Sequence, residues 1–204
     1  MDMYSVVKEN PILAILRNIP LEYTVDYAQA IVDGGISFFE VALNSEHGLK
    51  QIAILRDRFG EKCMIGVDLA KAAIGAGAQF LLTPGTPIDV LQYCAKKDIM
   101  LLPGVFTPGD VATSLEFGYK TMKLFPAGCA PKGYLKALKG PYDEANYIAI
   151  GGVTIDNIND YFKEGYMGVG LASNLMPLSV LKDKNWDLGV SYVQKYVSRV
   201  KRRV

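Results

Sequence analysis

Short apolar runs recur along the chain, each followed by a polar loop and then by a segment with apolar residues three and four positions apart. The first run, Ile12 to Leu16, reads as a buried strand and ends in Arg17-Asn18. Pro20 and Glu22 lead into a segment whose apolar residues Val25, Ala28, Ile31 and Val32 share one face of a helix. Gly34-Gly35 stops that helix, and Ile36 to Leu43 is the next strand. The same cycle predicts strands over 63–67, 79–83, 99–103, 119–125, 147–150 and 167–170. Helices are predicted between them, at about 46–59, 68–76, 87–97, 108–117, 131–139 and 154–165, with a last one over about 185–201.

Strand and helix alternate through eight units with no linker and no low-complexity segment. Such alternation calls for a parallel sheet, and eight units in about 200 residues call for a closed (β/α)₈ TIM barrel near its lower size limit. The expected organisation is one compact domain over residues 1–204. A doubly wound open sheet is the alternative. A dinucleotide-binding version of it is disfavoured, because no Gly-x-Gly-x-x-Gly follows the first strand.

Composition narrows the function. Half of the residues are hydrophobic and 21% are charged, an ordinary globular profile. Lysine plus arginine (22) nearly cancels aspartate plus glutamate (21), which gives no electrostatic case for nucleic acid. The Lys201-Arg202-Arg203 tail ends the last helix, where cations suit the helix dipole. No apolar run is long enough to span a membrane, and the first residues do not read as a signal peptide. Cys63, Cys94 and Cys129 are odd in number and far apart, as expected of a reduced cytoplasmic protein. With His47 as the single histidine, a mechanism without metal or cofactor is expected.

Chemistry in such a barrel sits at the carboxyl ends of the strands. The polar and small residues found there are Arg17, Glu40, Asn44, Ser45, Thr83-Pro84-Gly85, Pro103-Gly104, Lys123, Gly151-Gly152-Val153-Thr154 and Gly170-Leu171-Ala172-Ser173-Asn174. Lys123 stands in an apolar strand closed by Pro126, between Met122 and Leu124. Taking an ammonium out of water is costly, which favours the neutral amine that Schiff-base chemistry requires; the alternative is an edge lysine whose head reaches solvent. Glu40, within Phe38-Phe39-Glu40-Val41, fits a proton shuttle or a salt bridge to Arg17. Gly151 and Gly152, with the turn at Ala172-Ser173, follow strands seven and eight, where barrels commonly bind phosphate; they could also be tight turns before helices. Arg17 could hold a carboxylate or phosphate, or simply be a surface cation. His47 reads as a solvated residue, and nothing marks Cys129 as a nucleophile.

Taken in order, these residues resemble the 2-keto-3-deoxy-6-phosphogluconate aldolase family. The similar segments are Ile15-Leu16-Arg17, Gly34-Gly35, Phe39-Glu40-Val41, Gly77-Ala78-Gln79-Phe80, Pro103-Gly104-Val105, Lys123-Leu124-Phe125-Pro126-Ala127, Lys136-Ala137-Leu138-Lys139-Gly140-Pro141 and Gly151-Gly152-Val153. The resemblance implies that Lys123 forms the Schiff base and Glu40 moves protons. It also implies substrate-binding roles for Arg17, Asn44, Pro84, Gly151, Gly152, Ala172 and Ser173. The implied ligands are a phosphorylated keto sugar acid and pyruvate, in the manner of Entner–Doudoroff metabolism, and the implied assembly is a homotrimer.

Departures from the pattern refine it. Gluconate-type members carry Thr-Leu-Arg after the glutamate and Pro-Thr before the glycine pair; here these are Ala42-Leu43-Asn44 and Ala149-Ile150. Both changes resemble the branch acting on 2-dehydro-3-deoxy-6-phosphogalactonate. Ala172 stands where a glycine is usual. After the third strand the family has Gly-Ala-Gly-Thr and a loop, whereas here Ile65-Gly66-Val67 runs straight into Asp68-Leu69-Ala70-Lys71. Either the loop is absent or that stretch is missing from this sequence. The expected reaction is cleavage to pyruvate and glyceraldehyde 3-phosphate. The rival readings are a 4-hydroxy-2-oxoglutarate aldolase, a phosphosugar epimerase or synthase, and a phosphate-binding barrel without catalysis.

Overall fold

The computed structural model describes residues 2–43, 47–68 and 74–201. Its strands are β1 (Ile12–Leu16), β2 (Phe38–Val41), β3 (Met64–Asp68), β4 (Phe80–Leu82), β5 (Leu101–Leu102), β6 (Gly104–Val105), β7 (Thr121–Leu124), β8 (Asn146–Ile150) and β9 (Gly168–Leu171). Every pairing is parallel. Their order is β5-β4-β3-β2-β1-β9-β8-β7-β6. The two outermost segments in that order are consecutive in the chain: β5 lies within the strand predicted over 99–103, and β6 lies just beyond it. Pro103 separates them because it has no N–H to donate to a ladder. The sheet therefore returns to itself through one continuous stretch of backbone, and the architecture is the expected (β/α)₈ barrel in a single domain.

Side-chain alternation sorts the core into two layers. Outward residues such as Phe39, Val41, Met122, Leu124 and Val169 pack under the helices. Inward residues form a separate cluster, with Leu13, Ile15, Phe38, Phe80, Leu82, Leu102, Ile148 and Ile150 filling the lumen. Phe38 and Phe80 meet there with ring centroids 5.1 Å apart. Gly66 makes room for that contact, since a Cβ on it would lie 2.2 Å from the Phe80 ring. Burying a Phe side chain contributes about 1.5–3 kcal/mol, so each of these rings stabilises the packed lumen.

The amino-terminal end of the barrel is plugged. Helix α1 (Met3–Glu9), which the strand–helix cycle did not predict, places Met3, Val6 and Val7 in the lumen cluster. Asp2 caps it by accepting the Ser5 amide at 2.9 Å. Chemistry in barrels of this kind sits at the opposite, carboxyl end. Around the outside run α2 (Thr24–Asp33), α3 (Gly48–Phe59), α4 (Ile88–Lys96), α5 (Pro108–Glu116), α6 (Tyr134–Lys139), α7 (Ile158–Glu164), α8 (Leu178–Asp183) and α9 (Trp186–Lys201). The last helix packs on the second so closely that a Cβ at Gly34 would sit 2.3 Å from Val193 Cγ1. This contact closes the helical ring as the strands close the sheet.

Differences from the predicted elements are local. The strand predicted over 119–125 is paired only from Thr121 to Leu124, and Asp68, placed in a helix by its sequence, extends β3. Helix α8 was not expected from the pattern. Asn44 and most of the helix predicted over 68–76 lie outside the described residues, although Ile74 and Gly75 are helical.

Candidate active site

Lys123 and Glu40 are the two charged side chains buried in the barrel among the described residues, 6% and 2% exposed. Their neighbours fix the direction each one faces. On β7, Met122 and Leu124 belong to the outer layer, so Lys123 faces the lumen. On β2, Phe39 and Val41 are outward and Phe38 is inward, which puts Glu40 on the inward side as well. The Lys123 amide donates to the Pro103 carbonyl at 2.9 Å, anchoring its strand at the kink. Its Nζ lies 5.6 Å from the centre of the Phe125 ring, two residues onward on the same side.

The strand register sets the relative height of the two groups. β2 and β7 stand four positions apart in either direction round the barrel, counting β5 and β6 as one strand. Starting at Glu40 and moving through β1, β9 and β8, the pairings Ile15↔Glu40, Ala14↔Leu171, Ile150↔Gly170 and Leu124↔Ala149 lead, by extension, to position 127 of the β7 chain. Moving the other way through Gly66, Phe80 and the fifth strand leads to position 119. The difference, eight residues, is the shear of the barrel, the value expected for eight strands of this fold. Half the shear accumulates in each half-turn, so the residue level with Glu40 on the opposite wall is the midpoint, Lys123. The carboxyl group and the amine are therefore presented from facing strands at one height. An amine and a carboxylic acid so placed can form an imine and move protons around it.

The loops above this level are stitched together. After β7 the chain turns through a 3₁₀ segment, Ala127–Cys129, and the Gly128 amide donates to the Gly151 carbonyl at 2.8 Å. Gly151 and Gly152 have φ of +88° and +87°, the left-handed region that favours glycine. Gly152 could not carry a side chain for a second reason: its Cβ would lie 2.8 Å from Gly128 Cα. Asn157 folds back on the same turn, donating to the Gly152 carbonyl at 2.8 Å and accepting the Thr154 amide at 2.7 Å. Asn174, beyond β9, donates to the Val153 carbonyl at 2.9 Å. These contacts bring Gly151, Gly152 and the Ala172–Ser173 turn to one side of the mouth, with Gly152 and Ser173 exposed and Ala172 half-buried.

The other residues singled out in the sequence fall around this mouth or off it. Arg17 is exposed, one residue past β1 and in phase with inward-facing Leu13 and Ile15. Pro84 is exposed in the turn after β4, and Asn44 lies outside the described residues. His47 is exposed at the start of α3. Cys129 is exposed while Cys63 and Cys94 are buried, and burial pushes the Cys63 thiol up to about 11. Of the loop-stitching residues, Asn157 was missed by the sequence reading, whereas Asn174 was named among the residues at the mouth with no contact assigned to it. Thr154-x-x-Asn157 was the available signal for the first, a polar pair at cap spacing before a helix. The contact that Asn174 makes has no local signal, because its partner is on another loop.

A cleft of about 580 Å³ lies at the plugged end of the barrel, lined by residues that include Tyr4, Gln79, Asp98, Met100 and Lys120. None of its lining residues is a buried charged side chain. Among the described residues, no helix is long and apolar enough to cross a membrane.

The family pattern described as aldolase, KDPG and KHG aldolase, matches residues 3–190. The 2-dehydro-3-deoxy-6-phosphogalactonate aldolase of Escherichia coli (strain K12) is 29% identical over 91% of this chain and 94% of its own. A 2-dehydro-3-deoxy-phosphogluconate aldolase of Pseudomonas aeruginosa is 30% identical over 86% of this chain and 81% of its own. Among solved structures, a KDPG aldolase from Legionella pneumophila superposes with a TM-score of 0.85 at 27% identity, covering 93% of this chain and 95% of that one. It is described as holding pyruvate captured at low pH as a covalent carbinolamine intermediate.

Proposed function

Because the chain belongs to the KDPG and KHG aldolase family and is thus an aldolase, a lyase, we propose that it works through a Schiff base on Lys123 with Glu40 as the proton shuttle. The observation that supports this most strongly is the placement of those two buried groups at one height on facing walls of the lumen.

The substrate in this reading is a 2-keto-3-deoxy-6-phospho sugar acid. The Lys123 amine attacks its C2 ketone, and Glu40 assists the loss of water that leaves a protonated imine. That cation draws electrons from the C3–C4 bond as Glu40 accepts the proton of the C4 hydroxyl. Glyceraldehyde 3-phosphate departs, the enamine left on Lys123 takes a proton at C3, and water releases pyruvate. The turns at Gly151–Gly152 and Ala172–Ser173 receive the phosphate, so that contacts remote from the reaction align the bond that breaks. Arg17 and Pro84 line the approach. We favour the galactonate epimer, on Leu43-Asn44 in place of a Leu-Arg pair and on Ile150 before the glycines. The identities of 29% and 30% to galactonate and gluconate enzymes do not separate the two. A homotrimer in the cytoplasm goes with this reading.

Borohydride added with pyruvate should fix a covalent adduct on Lys123, and Lys123→Met should abolish both trapping and cleavage. Undiminished trapping in that variant removes Lys123 from the mechanism. Phosphate binding without any trapping in the unaltered protein points instead to a barrel that has lost catalysis. Turnover compared on both C4 epimers and on 4-hydroxy-2-oxoglutarate decides the substrate.

A further inference from the structure

The turns after β8 and β9 are joined to each other and also fastened from behind by the last helix. Tyr196 of α9 donates its hydroxyl proton to the Asn174 carbonyl at 2.8 Å. The ring is buried, 4% exposed, so its position is set by packing. Asn174 then reaches across to the Val153 carbonyl through Nδ2 at 2.9 Å. One phenol thus holds the segment that begins at Gly151 and the segment that begins at Ala172, and it lies outside both.

We propose that Tyr196 is a positioning residue for the phosphate end of the substrate: its hydroxyl fixes the spacing of the two turns and thereby their affinity for a phosphate group. This rests on the reading that these turns take the phosphate. Backbone N–H donors favour an anion most when they are already aimed before it arrives, since ordering a loop on binding consumes part of the interaction energy. Glycine at 151 and 152 admits a phosphate to the backbone but leaves the turn free to move. Asn157 restrains the turn from within, and Tyr196 restrains it against the neighbouring turn. Burial raises the Tyr196 pKa, so the phenol stays a donor through neutral pH. Lys123 stands on the neighbouring strand β7, and its amine is not one of the groups in this bridge.

Tyr196→Phe keeps the packed ring and removes the bridge. Calorimetric titration with inorganic phosphate, steady-state kinetics on the phosphorylated keto acid and borohydride trapping of pyruvate should be compared in the variant and the unaltered protein. The dissociation constant for phosphate and the KM should each rise about 3- to 10-fold, the equivalent of one ordinary hydrogen bond. The kcat and the trapping yield should stay at the original level. Asn174→Ala should give the same signature and serves as the test if Tyr196→Phe fails to fold. Unchanged phosphate affinity overturns the proposal, as does a parallel loss of kcat, trapping and affinity, which is what general loosening of the barrel would produce. Failure of the unaltered protein to bind phosphate overturns it too. Weakened phosphate binding in Tyr196→Phe alongside absent trapping in the unaltered protein would leave Tyr196 in its role and remove Lys123 from its own.

Discussion

Thr83 and Gly104 meet at the seam where the barrel closes, and the Thr83 hydroxyl accepts the Gly104 amide at 3.2 Å. The same hydroxyl donates to the Gly85 carbonyl at 2.6 Å. Thr83 is fully buried, and a Cβ at position 104 would lie 2.5 Å from its carbonyl oxygen. Pro103 interrupts the ladder here, so a side chain supplies the acceptor that backbone pairing would otherwise provide. Gly104 is also the register partner of Lys123, which ties the seam to the amine-bearing strand.

Thr83→Val should therefore destabilise the protein by about 1–3 kcal/mol, since it leaves a buried N–H without an acceptor. Thr83→Ser, which keeps the hydroxyl, should recover most of that loss. Urea unfolding monitored by circular dichroism reads both, and an unchanged midpoint for the valine variant would show that the seam closes without this hydrogen bond.

Glu40→Gln preserves the shape of the side chain and removes its ability to exchange protons. Turnover should fall by at least the ~10²-fold typical of a lost acid–base group, while the fold is retained. Stopped-assay rates on the preferred epimer, with thermal unfolding as a control, make the comparison. Full activity in the glutamine variant would assign Glu40 to structure alone.

Asp110 gives a pH-dependent contribution to stability that can be separated from the active site. It forms a capping box with Thr107 at the start of α5. Burial works against its ionisation, but donors from Thr107, Phe106 and Thr86 outweigh burial and hold the carboxyl below its usual value. A depressed folded-state pKa means that the stabilisation is complete above the unfolded value, about 4, and is lost as pH falls through the lower folded value. Asp110→Asn should cost roughly 0.5–2 kcal/mol near neutrality, as for other lost caps. The stability gap between the two proteins should hold steady from about pH 7 to pH 5 and narrow below pH 4. A gap that widened on acidification would contradict the assignment.

Much of this architecture was legible before any coordinates. Strand and helix follow from spacing two or three to four residues apart, and glycine or proline at the boundaries says where each stops, so the alternation and the closed barrel could be anticipated. Lys123 and Glu40 were visible for a related reason: an ionisable residue inside an apolar strand stands out against its neighbours. Helix α1 was passed over although Asp2, Met3, Val6 and Val7 carry a cap and a helical face, because nothing in so short a segment says that its face will seal a barrel. The fifth strand was read as ending at Pro103, whereas pairing resumes beyond the proline at Gly104–Val105.

The sequence by itself determined the alternation of strand and helix, if not every element of it, and which two residues carry charge into the apolar layer, since each of these depends on neighbours a few positions away. Tertiary structure alone decided that Lys123 stands level with Glu40, because that height is the accumulated register of all the strands between them and no single strand contains it. It alone also decided that Tyr196 reaches Asn174: a hydrogen bond needs its partners within about 3 Å, and only closure of the helical ring brings the end of the chain to that turn.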